Sequence, residues 1–427
     1  MGEPGKSLRF SQLAAYAAPG IAIKALTLPL LAYLPPLYAG MPGLSLASVG
    51  IVFMVARLWD IVTDPIAGVV MDRSSPPLGR RKFWIALATP VLLATLWPLF
   101  SPPHGSGIAY LASLLFVFYV AWTLLTIAHA SWPADLSDDG ADRARLIAWR
   151  EWAGVIGMVA VLAAPILVLG PKAPIEDQLR VMGGVLLVAT PLTILPLLLL
   201  LPGRSATPTA LNRPKLDSAW RLVRQSPALR RLLLADLMSG GGYAANSATS
   251  YFVMSRFLAV GDQYSSIMLC FMLAMLVGIP VFLRVAIWRG SGASFTLAMI
   301  GAAAASIGFA FAPAGNVAAA MAINAALGFC TGGYQFNLNT EMVRLAGVDR
   351  ATSGEDRVSA HLALLAMTNK LGYALAIGLV YLLLEALGGQ HPKPADPPAV
   401  ALVGLGLVLP ALLFLGAAVT FAGKPRH

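Results

Sequence analysis

LASVGIVFMVARLWDIVTDPIAGVVMDRSSPPLGRRK, residues 46–82, is an apolar run long enough to cross a bilayer, interrupted by two acids and closed by a basic turn. About 20 predominantly apolar residues suffice for a spanning helix, so the run to Val70 predicts one. On that helix Asp60 and Asp64 stand four residues apart, which puts both carboxylates on one face, one turn from each other. Ionisable groups at membrane depth are costly to insert and mark ion paths, proton relays or substrate sites. The pair therefore reads as a site for a proton or a small cation such as Na+. A packing pair between Asp60 and Arg57 is the competing reading, and it leaves the second acid unexplained. Pro65 removes the hydrogen bond to the Ile61 carbonyl and predicts a bend beside Asp64.

The rest of the chain agrees with a membrane setting. Of 427 residues, 58% are hydrophobic and 12% charged, with a mean hydropathy of +0.74, whereas soluble domains carry about a quarter charged residues. Hydropathy predicts spans near 12–37, 46–71, 83–100, 108–132, 148–170 and 179–201, and again near 229–257, 264–288, 292–312, 316–341, 360–386 and 399–422. Residues 203–228 between the halves are polar and basic and contain Pro208, Pro214 and Pro227. The expected architecture is an all-α integral membrane fold of twelve transmembrane helices in two pseudo-symmetric six-helix bundles, 1–203 and 229–427, joined by a linker over 204–228.

Most Lys and Arg fall in the termini and in loops on one side, including Arg73, Arg80, Arg81, Lys82, Arg143, Arg145, Arg213, Arg284, Arg289, Arg350 and Arg357. By the positive-inside rule both termini and the linker are cytoplasmic, in a multi-pass protein of the cell membrane, the inner membrane in a bacterium. The net charge of +10 then reflects topology and anionic headgroups, with no nucleic acid required. Lys6 and Arg9 precede an apolar segment too long for a signal-peptide core, so that segment is expected to remain as the first span. Cys270 and Cys330 sit inside predicted helices and read as packing residues. No GxSxG, Walker or HExxH motif is present, and the histidines are scattered, which argues against an enzyme or an ATP-driven pump.

Asp72, Arg73, Gly79, Arg80 and Arg81 form a candidate gating motif after the second span, with Asp72 placed to cap the helix or pair with Arg80 or Arg81. Gly68 reads as a point of close helix approach. A second Gly-plus-basic element, Gly278 through Arg284 to Arg289, recurs in the other half and supports an internal repeat. Plain topogenic anchoring remains an alternative to gating for these charges. Gly240, Gly241 and Gly242 are expected to loosen the seventh helix. Asp135, Asp138, Asp139 and Asp142, with Arg143 and Arg145, read as solvated loop pairs and not as a metal site.

RLWDIVTDPIAGVVMDR with GRRKFW, SWPADLSDDGADRARLIAWREWAG from residue 131, and SGEDRVSAHLALLAMTNKLGYALAIG from residue 353 together resemble the major facilitator superfamily, and within it the glycoside-pentoside-hexuronide:cation symporters, the family of melibiose permease. The resemblance implies cation-coupled transport of a small solute, with Asp60 and Asp64 at the cation site and Lys370 nearby. It also places Trp132 and Arg150 at or beside the sugar site. Two carboxylates and one ammonium leave one negative charge, which one monovalent cation would neutralise, and a neutral cluster crosses a low-dielectric barrier more readily.

Two departures bear on the solute. Where sugar-binding members carry acids in helices 1 and 4, this chain has Pro19 and Ala128, and Leu125 stands where a hydroxyl ligand is expected, with Thr123 and Thr126 close by. Thr126 is the candidate hydroxyl for the cation. Candidate solute contacts are Tyr16, Lys24, His129, Trp132, Arg150, Asn246, Gln335 and Asn369. Lys24 either meets an anionic solute or snorkels to an interface. His129 is either a proton relay or a structural histidine, and Trp132 either stacks on a sugar or belongs to the interfacial belt. The expected partners are a small-molecule solute and the bilayer, for a monomer without a cofactor whose coupling ion is Na+ or H+. The competing cargo is a lysophospholipid or another amphipathic anion.

Overall fold

The long apolar runs become helices because only hydrogen bonds internal to the segment can satisfy a backbone placed in hydrocarbon. The computed structural model describes residues 10–74, 76–137, 139–201, 222–353, 357–388 and 398–422. The first six helices are α1 (Phe10–Ala39), α2 (Leu46–Arg73), α3 (Arg80–Phe100), α4 (Ile108–Ser131), α5 (Gly140–Leu169) and α6 (Ile175–Leu200). The second six are α7 (Pro227–Phe252), α8 (Tyr264–Arg289), α9 (Ser291–Gly308), α10 (Val317–Ala351), α11 (Val358–Gly388) and α12 (Ala399–Ala422). α1 is broken into shorter pieces that restart at Pro19 and Pro29, first-turn positions where the missing N–H is no loss. α2 continues through Pro65 as one helix. α10 is interrupted by a turn over 332–334.

Among the described residues, eleven helices are long and apolar enough to cross a membrane. The exception is α7, and the reason is compositional: it carries Asp236, three consecutive glycines and Asn246, and from Ala235 onward none of its residues is exposed. A helix enclosed by other helices needs no lipid-facing apolar surface.

The chain divides into two units, one of Met1–Leu37, Met41–Gly43 and Trp59–Ala210, the other of Tyr38–Gly40, Leu44–Leu58 and Leu211–His427. The division cuts α2 between Leu58 and Trp59. Its first part belongs with α11 because the Ala47 N–H donates to Glu385 Oε2 at 2.5 Å and the bare faces of Gly50 and Gly378 lie on Tyr381 and Met54. Most of the expected linker, 204–221 of 204–228, lies outside the described residues.

Within the second unit α8 and α10 approach until backbones touch. Gly278 lies on the Phe329 carbonyl and Gly328 on the Phe271 carbonyl, with no room for a Cβ at either. Small residues at helix contacts are the common means of close packing in membranes. Gly68 was expected to act similarly, but nothing lies within 4 Å of where its Cβ would be. The expectation that 240–242 loosen α7 is likewise corrected: the α7 helix is continuous through them, and their missing side chains make room for neighbours, Phe414 against Gly242 and Tyr334 and Asn369 against Gly240.

The internal repeat is visible in backbone geometry. Gly79, at the N-cap of α3, has φ 88° and ψ 142°, and Gly290, at the N-cap of α9, has φ 88° and ψ 157°. Both lie where L-residues are strained and glycine is not, and each turns the chain sharply from the end of one helix into the next.

Candidate functional site

In α2, Phe53, Ala56, Asp60, Ala67 and Met71 form the buried ridge, with Asp60 only 6% exposed and Asp64 half-buried. The Thr123 hydroxyl, on α4, donates to Asp60 Oδ1 at 2.6 Å. A threonine hydroxyl offers one proton and two lone pairs, so beside this carboxylate it can also turn an oxygen toward a cation. Thr126, the hydroxyl chosen from sequence, instead donates to the Trp122 carbonyl of its own helix. The difference is angular: Thr123 and Thr126 are three residues apart, close to but short of one turn. Lys370 lies half-buried on α11 in the second unit, next to Asn369.

The first-unit solute candidates gather where α1, α4 and α5 meet. The Tyr16 hydroxyl donates to the His129 carbonyl at 3.0 Å, and His129 Nε2 donates to the Tyr16 carbonyl at 2.7 Å. Their rings lie 4.7 Å apart. This reciprocal strap joins α1 to α4 and commits the Nε2 proton to a backbone oxygen, which favours the structural reading of His129. Trp132 is buried within the first unit, so it is not a lipid-facing belt residue.

Lys24, on α1, has an acidic neighbour on α5. Its ammonium pairs with Glu151 Oε2 at 3.2 Å, both side chains close to half exposed at 45% and 46%, while Arg150 holds the other oxygen, Nη2 to Oε1 at 2.8 Å. Arg150 also hydrogen-bonds Tyr16. Two cations share one acid, so the cluster carries a net positive charge. α1 and α5 can place these groups together because Gly20 lies on the Arg150 carbonyl and Gly154 on the Lys24 side chain. Glu151 was missed in the sequence although it sits inside a predicted span; the signal was an acid at membrane depth.

The gating motif also finds an unanticipated partner. Asp135, in the short helix Pro133–Leu136, receives Arg81 Nε on Oδ2 at 3.1 Å and lies 3.6 Å from Arg80 Nη2 through Oδ1, all three side chains being about one-tenth exposed. The reading of Asp135 as a solvated loop acid is therefore corrected. Asp142 does pair with Arg145, at 3.5 Å. Arg73 is exposed, and Asp138 and the Asp72 side chain lie outside the described residues. In the second unit an acid again holds the start of the corresponding helix, Ser291 donating to Glu341 Oε2 at 3.1 Å. Breaking a buried ion pair strands the remaining charge at a cost of about 3–5 kcal/mol. Asp135→Asn is accordingly expected to lower the thermal midpoint of the purified protein clearly, and Asp142→Asn to leave it nearly unchanged.

The second-unit candidates do not form one cluster. Gln335 is exposed and Asn246 half-buried. Asn369 instead joins Asp236, Tyr334 and Thr368 in a buried polar group that the sequence reading did not single out. Among the described residues no three His, Cys, Asp or Glu side chains come together to hold a metal ion.

Residues 15–423 match the family described as MFS/sugar transport protein, and the chain belongs to that family. Over 163 residues it is 26% identical to the putative glycoside/cation symporter YagG of Escherichia coli (strain K12), covering 37% of this chain and 34% of that protein. Over 155 residues it is 27% identical to sodium-dependent lysophosphatidylcholine symporter 1 of Xenopus tropicalis, covering 35% of this chain and 28% of that protein. The matched region thus spans about a third or less of the length of these curated relatives. Among solved structures, the nucleoside transporter NupG aligns with a TM-score of 0.69 at 14% identity, over 98% of this chain and 100% of that one. A D-xylose-proton symporter aligns with a TM-score of 0.67 at 12% identity, over 97% of each chain. This likeness shows that the fold is shared with these transporters, and the family match over 15–423 makes it the major facilitator fold. The protein is a multi-pass membrane protein of a transporter family and not an enzyme.

Proposed function

We propose that this protein is a secondary active transporter that couples downhill movement of Na+ or H+ to symport of a small polar solute, such as a glycoside or a uronide, by alternating access. The observation that carries the reading is Asp60, a carboxylate buried within a spanning helix and hydrogen-bonded across to Thr123, with Asp64 one turn on. Cation coupling is also what the names of the glycoside/cation, sodium-dependent and proton symporters among its relatives and structural neighbours state of those proteins. Asp60 and Asp64 bind the coupling ion, Thr123 supplies the neighbouring hydroxyl, and Arg150 and Lys24 meet the solute. The halves 1–203 and 229–427 move as the alternating bodies, with both termini and the linker cytoplasmic and the chain monomeric.

The net positive charge of Lys24, Arg150 and Glu151 suits an anionic group and so favours a uronide over a neutral sugar. The same observation supports a second reading, transport of a lysophospholipid through its phosphate. A thermal-shift screen of the purified protein separates them, using a glycoside, a uronate and a lysophosphatidylcholine, each in Na+ and in K+ buffer and each at neutral and mildly acidic pH. Ligand at about 100 times its Kd adds about 2.7 kcal/mol of stability. A rise with the glycoside or the uronate that grows with Na+ or acidity supports symport of a polar solute. A rise with lysophosphatidylcholine alone supports the second reading, and ligand shifts indifferent to both ions contradict the coupling.

A further inference from the structure

Asp236, on α7, is 0% exposed. Its Oδ1 accepts from Tyr334 Oη at 3.1 Å and from Asn369 Nδ2 at 3.3 Å, and its Oδ2 accepts from Thr368 Oγ1 at 2.7 Å. Asn369 Nδ2 also reaches Tyr334 Oη at 2.6 Å. The partners come from α10 and α11, and the missing side chain of Gly240, one turn along α7, makes the space in which Tyr334 and Asn369 meet the acid.

Every one of these donors is neutral. The groups facing Asp236 from the elements around α7 are Thr368, Asn369 and Tyr373 of α11 and Tyr334 of α10, while Ser239 and Tyr243 of α7 itself adjoin Tyr334 and α12 presents Phe414 to Gly242 and Tyr243. Arg57 of α2 acts on Tyr373, as Asp236 does, and Lys370 follows Asn369 on α11. Among the described residues no ion pair reaches Asp236. A fully buried carboxylate without a cation is costly, and the ordinary relief is to take up a proton.

Thr368 lets the site hold either form. Its hydroxyl lies 2.7 Å from Asp236 Oδ2 and also 3.1 Å from the Leu364 carbonyl and 2.9 Å from the Leu365 carbonyl. Facing a carboxylate it donates to Oδ2. When Oδ2 carries a proton, the hydroxyl turns its own hydrogen to either backbone oxygen and accepts from the acid. A valine there could do neither.

We propose that Asp236 is a proton-binding site of the second unit, separate from Asp60 and Asp64, with Thr368 as the reversing hydroxyl that serves both protonation states. One O–H bond forms on the Asp236 carboxylate as one breaks in a hydronium ion of the surrounding water, which leaves a water molecule. Because the acid is sealed in this conformation, exchange of that proton requires α7, α10 and α11 to part. The assignment is independent of the solute and of which ion the α2 pair takes.

The test is pH-dependent infrared difference spectroscopy on the full-length purified protein in K+ buffer without solute, following the carbonyl stretch of protonated carboxylic acid. Wild type is expected to show a component that grows as pH falls and that is missing in Asp236→Asn. Thr368→Val removes a hydrogen bond that favours the charged form more than the neutral one, so its midpoint should move to higher pH, with proton binding about tenfold tighter, while Thr368→Ser behaves as wild type. If Asp236→Asn fails to yield folded protein, the Val and Ser variants decide. A spectrum unchanged in Asp236→Asn, or a Thr368→Val midpoint equal to that of Thr368→Ser, overturns the proposal.

Discussion

Asp60→Asn is expected to abolish concentrative uptake while leaving folded protein in the membrane. Asparagine has nearly the shape of aspartate, and its Oδ1 can still accept the Thr123 hydroxyl that now meets Asp60 at 2.6 Å, so the α2–α4 contact survives. What disappears is the negative charge. Without it a cation entering from water loses its hydration with only Asp64 of the pair left to compensate its charge. One elementary charge moving down a membrane potential is worth about 2.3 kcal/mol per 100 mV, which supports about 50-fold accumulation of a neutral solute with one cation. In proteoliposomes the wild-type ratio for a neutral glycoside should approach that figure, whereas a uronide, which moves no net charge with one cation, should follow the imposed ion gradient; the variant should concentrate neither. Asp64→Asn should fail in the same way. Accumulation unchanged in both variants would remove the pair from the mechanism.

Gly328→Val is expected to be the most damaging single substitution in the packing of the second unit. Gly328 lies on the Phe271 carbonyl and Gly278, on the facing helix, on the Phe329 carbonyl. The obstacle at each is backbone, which cannot rotate aside as a side chain can. Overpacking typically costs about 1–3 kcal/mol and more where the backbone must move, so at least about 3 kcal/mol is expected here, read as a large fall in thermal midpoint and in monodisperse yield. Gly68→Ala provides the contrast. Open space surrounds that position, and replacing a helical glycine with alanine there should stabilise by about 0.5–1 kcal/mol. Equal behaviour of the two variants would mean that the α8–α10 contact is not the tight one described.

The helices were legible because a bilayer-spanning segment must be both long and apolar, and the sequence satisfies that rule nearly everywhere. α7 is instructive because it does not: Asp236, the glycines and Asn246 lower its hydropathy, and from Ala235 onward packing against protein takes the place of lipid. Asp60 and Asp64 stood out for their spacing on one helix, a local property. Their partners did not, since Thr123 is 63 residues away from Asp60 and differs from Thr126 only by the direction in which it leaves α4. Glu151 and Asp236 were equally acids at membrane depth. Single acids without a helical companion gave no pattern, and the residues that define their chemistry are remote: Tyr334 lies 98 positions from Asp236 and Thr368 lies 132. Asp135 was misread for the opposite reason, because a loop position and neighbouring charges imitate a solvated cluster, while its actual partners, Arg80 and Arg81, begin α3. Charge and spacing announce a site, but only the packing of helices says which side chains meet.

The central claim is that the acids of α2 carry the ion that drives transport. The direct measurement is solute-driven ion entry into proteoliposomes, using the solute that the thermal-shift screen selects, with radioactive sodium and an internal pH dye followed in parallel. The paired acids of α2 are proposed to take one monovalent cation, so wild type should admit one Na+ or one H+ per solute, and Asp60→Asn should admit neither. Wild-type solute entry without movement of either ion, or ion entry that persists in Asp60→Asn, would contradict the account.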